Sequence, residues 1–259
     1  MFLLNEKIAL VTGGSRGIGF MIAQGLLEAG AKVYITNRSQ NDCDVAAEKL
    51  SKYGECIALS ADITQQEGRE KIIKLLASNE EKLDILVNNA GTSWGASYEY
   101  YPVESFDKVL SLNVTAMFAL TRDLTPLLLS DASSEDPSRV INIGSMDGLH
   151  QPSVSNTGTF AYTASKAAVH HMTRQLAIEL GPKNITVNAI APGYFASKMT
   201  STILDKHCDD VIYNCPLGRL GEASDMAGTA IYLSSRAGAY VNGVVLPVDG
   251  GTSINHQHR

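Results

Sequence analysis

The chain has 259 residues, 44% of them hydrophobic, and a formal net charge of −6. This length and composition suit one large α/β domain with a substantial core. The acidic balance argues against the broad basic surface that nucleic-acid binding usually requires. Residues 1–6 lack a signal-peptide pattern, and no stretch approaches the roughly 18 consecutive apolar residues of a membrane span. We therefore expect a cytoplasmic protein that binds neither nucleic acid nor membrane.

The cysteines and histidines show no metal-binding pattern. The four cysteines are scattered and include no Cys-x-x-Cys pair, which favours free thiols in a reducing cytoplasm. The histidines, including the adjacent pair His170 and His171, are not spaced with carboxylates or cysteines as zinc ligands are. We expect no metal site.

The first 36 residues predict a βαβ unit. Residues 7–12 form a short apolar run rich in β-branched side chains, typical of a strand buried on both faces of a parallel sheet. A helical period follows two glycines and ends at Gly30, a natural C-terminal stop. Residues 32–36 are the next predicted strand, so strand, glycine-rich turn, helix and strand occur in sequence.

The same alternation continues along the chain. Five further strands are predicted at residues 56–60, 83–87, 139–143, 185–190 and 244–248. Helices are predicted at residues 44–52, 67–77 and 106–129, and in a long segment around Tyr162. Seven strands alternating with helices predict an α/β, doubly wound, parallel seven-stranded sheet, a Rossmann fold. No repeat, linker or shift in composition marks a boundary, so residues 1–259 are expected to form a single domain.

The turn after the first strand has the features of a dinucleotide-binding loop. Its glycines at positions 13, 17 and 19 give the spacing Gly-x-x-x-Gly-x-Gly, a departure from the commoner Gly-x-Gly-x-x-Gly. Glycines allow close approach of the backbone, and N–H groups at the start of the helix can face a pyrophosphate. The alternative is a simple turn, but this one lies between a strand and a helix, as the motif requires. The candidate contacts are Gly13, Ser15, Arg16, Gly17, Ile18 and Gly19.

The end of the second strand indicates which nicotinamide cofactor is used. A carboxylate at that position would bind the ribose 2′-OH of NAD, but this chain has Asn37 and Arg38 there. Together with Arg16 in the glycine turn, Arg38 could hold a 2′-phosphate through charge-assisted hydrogen bonds. The alternative is two solvated surface arginines. We predict NADP(H) rather than NAD(H).

Tyr162 and Lys166 are four residues apart in a segment with helical periodicity, which places both on one face. A lysine ammonium near a phenol favours the phenolate and lowers the phenol pKa. At about 4 Å and an effective dielectric constant of about 20, the attraction is about 4 kcal/mol, or roughly 3 pKa units. The alternative is a half-exposed pair on a surface helix. If the pair is functional, Tyr162 could give or take a proton near neutral pH.

Together the glycine turn and the tyrosine–lysine motif resemble the short-chain dehydrogenase/reductase family over essentially the whole chain. The resemblance implies that the Asn-Asn-Ala-Gly turn at residues 88–91 supports the cofactor, and that Pro192 and Gly193 border the nicotinamide. Ser197 falls near the hydroxyl that contacts the carboxamide, although Thr200 competes for that role. The further cofactor contacts implied are Asp62, Ile63, Asn89, Ala90, Gly91, Tyr162, Lys166, Pro192, Gly193 and Ser197.

The same resemblance implies a catalytic group. Tyr162 would protonate the carbonyl oxygen as hydride arrives from the nicotinamide, and Ser145 would donate a hydrogen bond to that oxygen. Lys166 would bind the nicotinamide ribose and lower the tyrosine pKa, and Asn113 would orient a relay water. For Ser145 and Asn113 the alternatives are an ordinary turn residue and a polar residue inside a helix. The chain departs from the family in one respect, because 17 positions separate Ser145 from Tyr162, and residues 148–158 are expected to form a loop beside the substrate.

Two stretches of the sequence indicate a class of substrate. Residues 88–95 and 192–200 look like the 3-oxoacyl reductases associated with bacterial rhamnolipid synthesis, which implies NADPH-dependent reduction of a 3-oxoacyl thioester. The thioester would be linked to acyl carrier protein or to coenzyme A. A sugar-acid or polyol dehydrogenase of the gluconate 5-dehydrogenase kind, and a catalytically silent NADP-sensing protein, remain alternatives.

The resemblance also implies a substrate lid and an oligomer. Residues 194–215 occupy the position of the family's lid, although an ordinary surface helix would have the same pattern. Family members usually form tetramers, so we expect a homotetramer or a homodimer. The subunits would pair through the helices after the fourth and fifth strands and through residues 243–248.

Overall fold

The computed structural model describes residues 1–150 and 158–255. Most of the loop predicted beside the substrate (residues 151–157) and most of the tail (residues 256–259) therefore lie outside the described residues. In the described part, no helix combines the length and the apolar character needed to cross a bilayer. In the same part, His, Cys, Asp and Glu side chains do not gather in threes as metal ligands would.

Seven parallel strands form one sheet, which confirms the predicted fold class. They are β1 (Ile8–Thr12), β2 (Lys32–Asn37), β3 (Cys56–Ser60), β4 (Ile85–Asn88), β5 (Ser138–Ile143), β6 (Ile185–Pro192) and β7 (Val245–Val248). Their order across the sheet is β3-β2-β1-β4-β5-β6-β7, so the winding direction reverses between β1 and β4. In doubly wound sheets ligands bind beyond the carboxyl ends of the strands at this reversal.

Eight α-helices connect the strands in the described residues: α1 (Gly17–Glu28), α2 (Gln40–Leu50), α3 (Gln66–Asn79), α4 (Val103–Leu110), α5 (Met117–Leu129), α6 (Phe160–Leu180), α7 (Ser201–Asn214) and α8 (Ala223–Ser234). Helix α2 begins four residues earlier than predicted, because the Ser39 hydroxyl caps it by accepting a hydrogen bond from Asp42 N at 3.2 Å. The predicted helix 106–129 is α4 and α5, joined by a π-helical segment, Ser111–Ala116.

Two buried clusters cover the two faces of the sheet. Alternate residues of β1 point to opposite faces, so Ala9 and Val11 pack in one cluster and Ile8 and Leu10 in the other. The first cluster also contains buried residues of α1, α2 and α8, and the second contains those of α3, α5 and α6. With both faces covered, the functional side chains gather at the carboxyl edge of the sheet.

Candidate active site

A cleft of about 1050 Å³ opens along the carboxyl edge of the sheet. It brings together most of the side chains that the sequence nominated as cofactor or catalytic residues. The predicted residues that line it are Gly13, Arg16, Gly17, Ile18, Asn37, Arg38, Asp62, Ile63, Asn89, Ala90, Gly91, Ser145, Tyr162, Lys166, Pro192, Gly193 and Ser197. The predicted residues that do not line it are Ser15, Gly19 and Asn113.

The glycine turn has the geometry of a phosphate-binding loop. Gly13 and Gly17 have φ angles of +65° and +55°, a region that side-chain-bearing residues rarely adopt. A Cβ atom on Gly19 would collide with the Gly13 carbonyl oxygen and the Asn89 amide. Ser15 lies behind the turn, where its hydroxyl accepts a hydrogen bond from the Asn37 amide. Helix α1 therefore starts at the cleft wall with backbone N–H groups available to an anion.

Thr12, which the sequence did not nominate, holds the turn after β4 against the glycine turn. Its hydroxyl accepts hydrogen bonds from the backbone N–H groups of Asn89 and Ala90, both at 3.0 Å. The Asn89 amide in turn donates to the Thr12 carbonyl at 2.8 Å. The sequence did carry one signal for this role, because Thr12 is a polar residue at the end of an otherwise apolar strand. This network fixes the two turns that flank the reversal in strand order.

Two arginines lie at the cofactor end of the cleft. Arg16 and Arg38 are both exposed, and neither forms an ion pair with a carboxylate within residues 1–150 and 158–255. Asn37 stands where a ribose-binding carboxylate would be expected, and its Oδ1 accepts a hydrogen bond from the Arg38 backbone at 2.6 Å. Both guanidinium groups are therefore available to a phosphate.

Tyr162 and Lys166 share one face of α6, and both line the cleft. The Lys166 ammonium lies 5.5 Å from the centroid of the Tyr162 ring and donates a 2.7 Å hydrogen bond to the Ile143 carbonyl oxygen. Ser145 follows β5 after one residue, Gly144, and its hydroxyl hydrogen-bonds to the Tyr162 phenol. The Ser145 hydroxyl also accepts from Asp147 N at 3.1 Å. A phenol, a hydroxyl and an ammonium thus converge at one end of the cleft.

The predicted lowering of the Tyr162 pKa is wrong for this geometry. Burial raises the pKa of Tyr162 to about 12; the hydrogen bond from Ser145 opposes this, and the charges of Asp147 and Tyr194 add to it. Burial lowers the pKa of Lys166 to about 8. The prediction from sequence considered only the attraction between the Lys166 ammonium and the Tyr162 phenolate. It omitted the loss of hydration that both side chains undergo on burial. At neutral pH Tyr162 is a protonated phenol, suited to giving a proton.

Asn113 is buried and is not among the residues that line the cleft. It is 3% exposed and belongs to the π-helical segment. Its amide nitrogen donates to the Thr92 carbonyl at 3.0 Å and to the Ser165 hydroxyl at 2.9 Å, and its oxygen accepts from Thr92 N at 2.9 Å. All three contacts are made with the protein, and they hold the turn after β4 against α6. A π-helical turn often accompanies such a functional position.

The two hydroxyls considered for the carboxamide both line the cleft. Ser197 Oγ and Thr200 Oγ1 lie 3.0 Å apart, and Thr200 Oγ1 donates to the Phe195 carbonyl oxygen at 2.7 Å. Thr200 is therefore already engaged with the backbone, which leaves Ser197 the freer of the two. Gly193 lies close to β7, because a Cβ atom on it would be 2.7 Å from the Asp249 Cα.

The cleft is cationic although the chain is acidic. Residues 194–215 contribute α7, whose amino-terminal half lines the cleft with Thr202 and Ile203. The lining lysines and arginines are Arg16, Arg38, Lys108, Lys166, Lys198 and Lys206, whereas Asp62 is the single carboxylate among the described lining residues. Sequence reasoning missed Lys108, Lys198 and Lys206, since nothing local distinguishes them from surface lysines. A concentration of one sign of charge in a cleft favours an anionic ligand.

The fold, the glycine turn and the serine–tyrosine–lysine group define a short-chain dehydrogenase/reductase, and the chain belongs to that family. The family model described as enoyl-(acyl carrier protein) reductase matches residues 13–253. A rhamnolipid-biosynthesis 3-oxoacyl-[acyl-carrier-protein] reductase of Pseudomonas aeruginosa is 50% identical over 252 residues, covering 96% of this chain and 97% of the relative. A gluconate 5-dehydrogenase of Gluconobacter oxydans is 33% identical, covering 98% of each chain.

A solved structure supports the same family membership. The RhlG/NADP active-site complex of Pseudomonas aeruginosa superposes with a TM-score of 0.93 at 49% identity, covering 97% of this chain and 98% of that one. The similarity extends over nearly the full length of both chains. The predicted resemblance to the short-chain dehydrogenase/reductases, and to the rhamnolipid-type reductases among them, is confirmed.

Proposed function

We propose that this protein is an NADPH-dependent reductase that converts 3-oxoacyl thioesters to 3-hydroxyacyl thioesters. The observation that carries the proposal is a cationic cleft with a protonated phenol, Tyr162, and a hydroxyl, Ser145, at one end. Acyl carrier protein and coenzyme A both present their thioesters on a phosphate-bearing arm, which suits the lysines of this cleft. The name of the relative that is 50% identical supports the same substrate class.

The cleft fits a dinucleotide that carries a 2′-phosphate. The glycine turn and the start of α1 would hold the pyrophosphate, and Arg16 and Arg38 would bind the 2′-phosphate. Asp62 would contact the adenine, and Lys166 would bind the nicotinamide ribose. The bound cofactor supplies the hydride that reduces the carbonyl carbon.

The residues of the chain handle the proton. Tyr162 gives its phenolic proton to the carbonyl oxygen as that oxygen gains negative charge, and the carbonyl becomes a secondary alcohol. Ser145 donates a hydrogen bond to the same oxygen and fixes its direction. The Lys166 ammonium stabilises the phenolate that Tyr162 becomes. Asn113 would orient the relay water, and its hydrogen bonds to the Thr92 backbone and to Ser165 of α6 would hold its amide in place.

A substrate panel tests the proposal. Purified protein is given NADPH or NADH with acetoacetyl thioester, 5-ketogluconate or a simple diketone, and cofactor oxidation is followed. We expect reduction of the thioester and a lower KM for NADPH than for NADH. Activity confined to 5-ketogluconate would instead favour the sugar-acid dehydrogenase, and a lower KM for NADH would contradict the roles of Arg16 and Arg38. A lack of turnover on every carbonyl would favour the silent NADP-sensing protein.

We further propose that the protein is cytoplasmic and forms a homotetramer or a homodimer. Exposed apolar side chains on the helices after β4 and β5 support this assembly, among them Val103, Phe118 and Ile178 at 69%, 42% and 71% exposure. Light scattering on the purified protein measures the number of subunits, and a monomer at micromolar concentration would contradict the proposal.

A further inference from the structure

One face of α6 contacts the end of β5 through a series of polar side chains. Thr173 Oγ1 accepts a hydrogen bond from the Asn142 amide at 3.0 Å, and Lys166 Nζ donates to the Ile143 carbonyl oxygen at 2.7 Å. Tyr162, Lys166 and His170 are spaced four residues apart, so they follow one another along this face. The helix that carries the candidate proton donor therefore also fixes the strand that leads to Ser145.

His170 is the member of this face without a role in the proposed chemistry. It is 3% exposed, and its Nε2 accepts a hydrogen bond from the backbone N–H of Ser145 at 3.4 Å. The ring lies between two glycines on either side of Ser145. A Cβ on Gly144 would collide with Nε2, and one on Gly148 would lie 2.8 Å from Cε1. The backbone around Ser145 is thus shaped to admit this imidazole.

The imidazole is neutral and is held through Nε2, while its buried Nδ1 has no hydrogen-bond partner at normal distance among the described residues. Burial, opposed in part by the Gly148 carbonyl, lowers the pKa of His170 to about 4. Because Nε2 accepts the Ser145 N–H, the single ring proton is on Nδ1. His170 does not line the cleft and so cannot reach a substrate directly. Whatever it contributes to the reaction passes through Ser145.

We propose that His170 is a positioning residue that holds the backbone of Ser145, and through it the Ser145 hydroxyl, in line with Tyr162. Without the acceptor, the buried Ser145 N–H would lose its partner, and the turn that starts at Ser145 would shift to find another. The serine hydroxyl would then no longer point at the substrate oxygen. This inference rests on the proposed function, since it assigns Ser145 a part in the reduction.

The test compares His170→Leu with His170→Gln, whose amide oxygen can replace Nε2 as an acceptor. We expect the leucine variant to lower kcat about tenfold, to leave the Kd for NADPH within about twofold, and to leave KM largely unchanged. The glutamine variant should recover most of kcat at a similar Tm. His171→Leu is the matched control, because His171 is exposed on the same helix and should leave kcat unchanged.

A double-mutant cycle separates positioning from a general structural effect. In a Ser145→Ala background, His170→Leu should cost less than about twofold in kcat, since the hydroxyl that it positions is gone. A full tenfold loss in that background, or equal kcat for the leucine and glutamine variants, would overturn the proposal.

A second readout does not depend on turnover. Amide hydrogen exchange over residues 144–148 should be faster in His170→Leu than in the wild type and in His170→Gln. Unchanged exchange in the leucine variant would contradict the inference even if the substrate class were wrong. Conversely, a wild-type protein with no activity on any carbonyl would overturn the proposed function, while the exchange rates would still decide the role of His170.

Discussion

Two lysine–tyrosine pairs lie at opposite edges of the sheet and differ in their surroundings. At the carboxyl edge, the Lys166 ammonium is 5.5 Å from the centroid of the Tyr162 ring. At the amino edge, where β2 begins, the Lys32 ammonium is 5.8 Å from the centroid of the Tyr34 ring. The distance between cation and ring is nearly the same, so it cannot decide what each pair does.

The two lysines have opposite pKa shifts because Lys32 has carboxylate partners and Lys166 has none in the described residues. Lys32 forms ion pairs with Glu55 at 2.8 Å and Glu80 at 2.7 Å, and hydrogen bonds to them raise its pKa. The Tyr34 hydroxyl donates to the same Glu80, and burial followed by that bond raises the tyrosine pKa. Lys166 has no carboxylate partner in the described residues, and burial alone lowers its pKa to about 8. A neutralised pair is structural, whereas an uncompensated buried ammonium can respond to a charge that develops nearby.

Removal of the phenol at the carboxyl edge is expected to have the largest effect. Tyr162→Phe deletes the proton donor while keeping the ring, so kcat for carbonyl reduction should fall about a thousandfold. The Kd for NADPH, measured by fluorescence, should change little. Tyr34→Phe is the matched control at the amino edge and should keep kcat within about twofold. An unchanged kcat in Tyr162→Phe with intact cofactor binding would rule out the proposed proton transfer.

The contributions of the two lysines to stability should respond differently to rising pH. Lys166 has a folded pKa of about 8 against an ordinary value of 10.5, so between these values the unfolded chain binds more protons. Its contribution therefore becomes more favourable as pH rises from about 8 to 10.5. Lys32 has a raised pKa, so its contribution is complete below its ordinary value and is lost as pH rises through the folded pKa.

Urea unfolding of the wild type, Lys166→Met and Lys32→Met at pH 7.5 and pH 10 measures this contrast. The wild type should gain free energy of unfolding relative to Lys166→Met between the two pH values. Its difference from Lys32→Met should stay constant over the same interval. A gain of the same sign and size for both lysines would show that carboxylates do not separate the two pairs.

The sequence predicted what depends on local periodicity and failed where burial decides. Glycine spacing and strand–helix alternation located the turn at Gly13–Gly19 and the face shared by Tyr162 and Lys166, because both features depend on neighbours along the chain. The pKa of Tyr162 could not be predicted in the same way, since it depends on how much of the fold surrounds the phenol. Asn113 is buried in a π-helical segment that no sequence pattern predicted.

Long-range contacts explain the remaining omissions. Thr12 was not nominated because its partners, Asn89 and Ala90, are more than 70 positions away in sequence. In the sequence His170 is one of two adjacent histidines with no evident role. Its contact with Ser145 forms only when α6 packs against the end of β5. These side chains act on the site through the backbone of other residues, and such contacts appear only when distant elements are packed together.

The smallest expected effect belongs to the ion pairs at the amino edge. Glu80→Gln keeps the shape of the side chain but removes the charge that Lys32 contacts, and the side chain of Glu80 is only 10% exposed. The free energy of unfolding at pH 7.5 should fall by about 1 kcal/mol, because a partly buried pair with a second carboxylate still present loses only part of its attraction. Glu55→Gln is the control; its more exposed carboxylate, at 62%, should cost less. Both variants should keep kcat unchanged, and a loss of activity in either would mean that the amino-edge pair is coupled to the catalytic cleft.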